Sequence, residues 1–121
     1  MNKTALLILR LGLGVTFLWI GVLIWMHPAV WGAFLMPWAS QLLPVPIEQA
    51  MLGTALLDIV IGALLLINTF TWLASAVGAL HLVIVLVTSG ITDVTSRDIG
   101  LLGAAVALAL QTWPEKYKFW R

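Results

Sequence analysis

The sequence predicts an all-α membrane protein with one domain over residues 1–121. It would be a four-helix transmembrane bundle with both termini cytoplasmic and an apolar interfacial segment between spans one and two. Three observations carry this prediction. First, 62% of the residues are hydrophobic and 9% are charged, where soluble domains average about 25% charged and about 45–50% apolar residues. A soluble domain this short leaves too much surface in water to hide that much hydrocarbon, so lipid must solvate the chain. Second, apolar runs of about 20 residues, enough to cross a bilayer as helices, recur along it. Third, Lys and Arg are unequally shared between the two sides that these runs define.

Span one covers about residues 4–26. Lys3 ahead of an apolar stretch has the look of a signal peptide, but Arg10 interrupts the run and no small-residue cleavage site follows Met26. It reads as an uncleaved first span. Residues 27–46 form the one long connection, and "WGAFLMPWASQLLP" within it has hardly a charge. Trp31, Phe34, Leu35, Met36, Trp38, Leu42 and Leu43 suit the outer interface, where Trp is favoured. Docking onto a partner subunit is the other reading, because interfacial helices are usually richer in Lys and Arg.

Span two covers about residues 47–70, and "NTFTW" (Asn68 to Trp72) turns it tightly into span three, about 72–89. "SGITDVTSRD" separates three from four. Its "TSRD" has the chemistry of a helix start, a Thr or Ser cap with Asp98 near the positive helix end. Span four covers about 97–113. Its apolar part, from Ile99, is short for a crossing, so it starts further back, near Val94, or sits in thinned membrane. Pro114 then stops the helix.

Lys3 and Arg10 lie on the N-terminal side, and Lys116, Lys118 and Arg121 lie in the C-terminal tail, while the opposite loops hold only Arg97. The positive-inside rule therefore puts both termini in the cytoplasm, as an even number of spans requires. Of the seven Trp residues, Trp25, Trp31 and Trp38 fall at the outer interface and Trp72, Trp113 and Trp120 at the inner one. Trp19, within span one, is the exception.

Composition also excludes chemistry. Without cysteine there is no disulfide, thiolate nucleophile, cysteine-ligated cluster or cysteine-attached haem. A net charge of +1 gives no ground for a nucleic-acid partner. No nucleophile–base arrangement or phosphate-binding glycine loop occurs, and no metal site is expected, because His27 and His81 lie apart with no acids at ligand spacing.

What remains is a small set of ionisable residues inside the membrane: Arg10, Asp58 and His81 in spans one, two and three. A charge at the bilayer centre costs at least ~2.5–3.5 kcal/mol, so such residues face a bundle interior and find partners there. Arg97 and Asp98 form a pair at the outer mouth of span four. Helical spacing groups these residues with small ones: Arg10, Gly14, Phe17 and Gly21; Thr54, Asp58 and Gly62; Ala74, Gly78, His81 and Val85; Gly100, Ala104, Ala107 and Gln111. Small residues let membrane helices approach closely, so these four stripes are expected to face inward around a polar centre. The bland reading of Asp58 is a structural ion pair or hydrogen bond with Arg10 or His81. The functional reading is a proton-carrying carboxylate or a polar group at the site of a lipid-soluble ligand. Arg10 is equally readable as a snorkelling anchor.

The order of these features resembles the DoxX-like family. "ILRLGLGVTFLWIGVL" is similar to its first span, "LLDIVIGALLLIN" to its second, and "SRDIGLLGAAVALAL" to its fourth, which commonly begins Arg-Asp. The chain departs from the pattern in carrying Asp58 where Glu is more frequent, and in lacking a Lys shortly after the first-span Gly. The resemblance covers nearly the whole chain and implies a multi-pass protein of a bacterial or archaeal plasma (inner) membrane. Relatives include a subunit of a thiosulfate:quinone oxidoreductase, a protein needed for methylamine dehydrogenase maturation, and members of complexes in oxidative-stress defence. It implies an integral membrane subunit of a quinone-linked redox complex, with quinone near Arg10, Asp58 and His81. Any electron-carrying cofactor would sit on a partner subunit, so the chain itself is at most a cofactor-free part of an oxidoreductase. The alternatives are a small proton-coupled transporter or channel, and a membrane scaffold or assembly factor. The lipid bilayer and protein partners, or further copies of the chain, are the expected company.

Overall fold

In the computed structural model the described residues are 2–92 and 95–117. Val94, one expected start of span four, and Lys118, Trp120 and Arg121 of the tail lie outside them. The first helix, α1 (Lys3–Met26), begins with the Asn2 side chain accepting from the Ala5 amide at 2.7 Å. It ends where His27 precedes Pro28, since a residue before proline avoids the helical region. Two short helices follow, α2 (Pro28–Gly32) and α3 (Pro37–Gln41). Each starts on a proline, whose missing N–H costs nothing in a first turn.

The longer helices α4 (Ile47–Leu66), α5 (Thr71–Ser89) and α6 (Ser96–Thr112) complete the bundle, and a 3-10 turn, Glu115–Tyr117, follows Pro114. Spans one, three and four are helical to within a residue of expectation, but span two stops at Leu66 rather than near residue 70. The reason is local: Asn68 adopts the left-handed conformation (φ 56°), so the Thr69 amide bonds back to Leu64 and the Asn68 amide to Leu65. That is a Schellman termination with Asn in the glycine position. The Thr71 hydroxyl then donates to Asn68 Oδ1 at 2.7 Å and opens α5.

The three helices α1, α4 and α5 are long and apolar enough to cross a membrane. Their outward faces are hydrocarbon, including Ile8, Val15, Trp19, Leu56, Val60, Leu80 and Ile84, each about half exposed or more. The chain is accordingly a membrane protein in contact with the bilayer. At 17 residues, α6 is about 25 Å long against about 30 Å of hydrocarbon. It packs as the fourth helix of the bundle.

Two close pairs, α1 with α4 and α5 with α6, make up the bundle, and they meet along a looser seam. Glycines set the first pair. A methyl group added at Gly62 would lie 2.5 Å from the Leu18 amide nitrogen and 2.7 Å from the Gly14 carbonyl oxygen. One added at Gly21 would lie 2.8 Å from the Ala55 carbonyl oxygen. The backbones therefore touch at both points, as expected of small residues in lipid. Across the seam the Phe17 ring fills the space left by Gly78. Leu13, Phe17, Ile61, Leu65, Ala74, Leu82, Ala105 and Leu108 form the buried core, which occupies the end of the bundle nearer the termini. At that end Trp72 meets Trp113 edge-on, with ring centroids 4.9 Å apart, and Trp113 Nε1 donates to the Tyr117 carbonyl.

The inward stripes of the first three spans face as expected, with Gly14, Phe17, Gly21, Asp58, Gly62, Ala74 and Gly78 buried. Span four is a correction. Gly100 and Gln111 are exposed, while Ala105, Leu108 and Ala109 turn inward. A methyl group at Gly100 or Gly103 would meet nothing within 4 Å. Leu108 is fully buried in the core cluster, and of the expected stripe Ala104 packs against that cluster while Gly100 lines the cavity described below.

Candidate functional site

The core closes one end of the seam, and the other end is open. Between the halves of the helices away from the termini lies a cavity of about 540 Å³. Its walls come from all four long helices: Thr16, Ile20 and Ile24 on α1, Met51 and Thr54 on α4, Val85 and Thr88 on α5, Gly100 and Leu101 on α6. The 27–46 segment folds over it. The Met36 amide donates to the Thr88 carbonyl at 2.8 Å, tying the α2–α3 link to the last turn of α5. Gly90, at φ 72°, ends that turn where a methyl group would meet Met36 Cε at 2.9 Å. Trp31, Phe34, Leu35 and Leu43 consequently face the cavity, while Val30, Trp38 and Leu42 face outward. The segment is a cover as well as an outward apolar surface, because α2 lies against α4 and α1.

Asp58 and His81 make the floor. Nε2 of His81 is 3.2 Å from Oδ1 of Asp58, and the two side chains are 13% and 5% exposed. That is ion-pair distance, yet no N–H is aligned on Oδ1, so this buried oxygen has no hydrogen bond. The geometry pairs the two groups by proximity without saturating the carboxylate. In low-dielectric surroundings such a pair interacts strongly, and an unsatisfied oxygen is costly there. Just beneath, Phe17 and Leu82 seal the floor from the core.

Arg97 and Asp98, in the first turn of α6, line the same cavity nearer its mouth, and Asp98 is within electrostatic reach of Arg97, Asp58 and His81. The α5–α6 turn that holds them is tied by Thr95, buried before the helix. Its hydroxyl donates to the Gly90 carbonyl at 2.5 Å and accepts from the Thr92 amide at 2.8 Å. Of the helix start expected of "TSRD", Asp98 does sit in the first turn of α6, but Thr95 at the cap position makes no side-chain cap bond, because its hydroxyl is turned back into the preceding turn.

Arg10 is not part of this site. Its Nη1 donates to the Leu65 and Leu66 carbonyls at 2.7 and 3.1 Å, at the end of α4. Those oxygens are the orphan acceptors of a helix C-terminus, where a cation is favoured. Leu65 lies seven residues from Asp58, about 10 Å along the helix. Of the two partners expected for Asp58, the fold supplies His81. No family model, curated protein or solved structure matches the chain.

Among the described residues no three His, Cys, Asp or Glu side chains gather as a metal site. Three hydroxyls also reach the cavity wall, Thr54 on the inward stripe it shares with Asp58, and Thr16 and Thr88 outside the stripes that the sequence marks. Thr16, Thr54 and Thr88 donate to the carbonyls of Gly12, Ala50 and Ile84, four residues back.

Proposed function

We propose that the chain is a four-span, DoxX-like protein of a bacterial or archaeal plasma membrane. It serves as the membrane subunit of a quinone-linked redox complex, and the cavity above Asp58 and His81 receives the quinone head group. The observation that carries this reading is the cavity itself, with apolar walls and a few converging polar side chains at its floor. Lipid-soluble ligands take such sites. A quinone head needs hydrogen-bonding groups and a proton relay in an apolar pocket, and a buried Asp–His pair has that chemistry. In this assignment Arg10 braces the fold, Arg97 and Asp98 guard the mouth, and partner subunits carry the electron-transferring cofactor.

Purification from native membranes with analysis of the extracted lipids tests the reading. Co-purifying quinone, together with loss of partner-dependent quinone reduction in Asp58→Asn, is the expected result. Absence of quinone, with reduction intact in that variant, would sink it. The same acid supports a second reading as a proton-coupled transporter. Flux in proteoliposomes driven by a pH gradient and abolished by Asp58→Asn would favour that one.

A further inference from the structure

The hydrogen-bonding character of the cavity is one-sided. The hydroxyls of Thr16, Thr54 and Thr88 each spend their single proton on a backbone carbonyl of their own helix, at 2.8, 3.1 and 2.8 Å. A hydroxyl so engaged offers a ligand only lone pairs. Asp58 adds an acceptor, with Oδ1 buried and without an aligned hydrogen bond, and Asp98 adds another nearer the mouth. Against these, the donors are His81, whose Nε2 is turned to Asp58, the Ser89 hydroxyl, Arg97 at the mouth beside Asp98, and the Trp31 indole N–H in the cover, away from the floor. The floor is therefore rich in acceptors and poor in donors. A head group bearing only carbonyl oxygens would face lone pairs across most of it, whereas one carrying O–H groups would satisfy them.

We infer that the cavity selects an amphiphile whose head donates hydrogen bonds, and so binds a hydroquinone in preference to the corresponding quinone. The inference rests on the quinone-site reading above and adds to it the redox form that is held. The apolar tail lies against Ile20, Ile24 and Val85, and the hydroxyls reach toward Asp58 and Thr54. An added donor to a buried acceptor that lacks a hydrogen bond supports a preference on the order of tenfold.

The test is binding of a decyl-substituted benzoquinone and of its dithionite-reduced hydroquinone, under anaerobic conditions, to the full chain in lipid nanodiscs, with empty discs as reference. The expected result is tighter hydroquinone binding by about tenfold. Asp58→Asn, which places an amide donor on the floor, is expected to bring the ratio to one or invert it. A purely structural role for Asp58 would lower both affinities and leave the ratio alone. Thr54→Val keeps side-chain shape while removing lone pairs, and is expected to narrow the ratio even if Asp58→Asn does not fold. Equal or tighter binding of the quinone, or a ratio unmoved by these substitutions, would overturn the inference and leave the quinone-site reading standing. Binding of neither form would overturn both.

Discussion

His81 on α5 places Nε2 3.2 Å from Oδ1 of Asp58 on α4, at the point where the packed core gives way to the cavity. Each makes the other tolerable there, since a buried polar group without a partner is destabilising. His81→Leu alone is expected to lower stability by about 3 kcal/mol, the upper end of the cost of a buried group left unsatisfied. The double variant Asp58→Leu with His81→Leu is expected to recover most of that loss. Unfolding in mixed micelles, read as a double-mutant cycle, checks it, and additive losses would show that the two groups are not coupled.

Glycine positions divide into two classes that the fold separates sharply. Gly62→Ala drives a methyl group into the Leu18 amide and Gly14 carbonyl of α1 and is expected to cost about 1–3 kcal/mol, the range for overpacking. Gly53→Ala and Gly103→Ala meet open space and are expected to gain about 0.5–1 kcal/mol. Thermal inactivation midpoints of the three variants in one detergent would reveal the opposite signs.

Arg10→Met removes two charge-assisted bonds from the last turn of α4. The expected loss is about 1–3 kcal/mol of stability, with cavity-ligand affinity unchanged. Arg10→Lys should retain part of the stability by keeping a cation at that helix end. A large affinity loss in a folded Arg10 variant would return Arg10 to the site.

The absence of cysteine makes orientation directly measurable. Single cysteines at Asn2, Thr69 and Lys116 are expected to react with a membrane-impermeant maleimide from the cytoplasmic side only. Cysteines at Ser40 and Ser96 are expected to react from the outer side only. Labelling of Lys116→Cys from the outside would mean that α6 does not cross.

The single sequence was enough for the all-helical membrane class and for helix limits close to those observed, because hydropathy and length act locally and leave a chain in lipid little else to form. It was also enough to mark Asp58 and His81 as inward-facing, since an ionisable residue amid hydrocarbon must turn away from lipid. Helix rotation without such a residue was less legible: in α6, Gln111 is exposed while Ala105, Leu108 and Ala109 are buried, a face that the small-residue spacing did not mark. Only the tertiary structure decided that Asp58 meets His81 rather than Arg10. That choice depends on the depth of each helix against the others, and the backbone contacts of Gly14 and Gly21 with Gly62 and Ala55 set it for α1 and α4. The cavity was equally invisible in the sequence. It arises from two tight helix pairs diverging above Phe17 and from a covering segment hooked to Thr88. Both are relations between distant parts of the chain that no local pattern encodes.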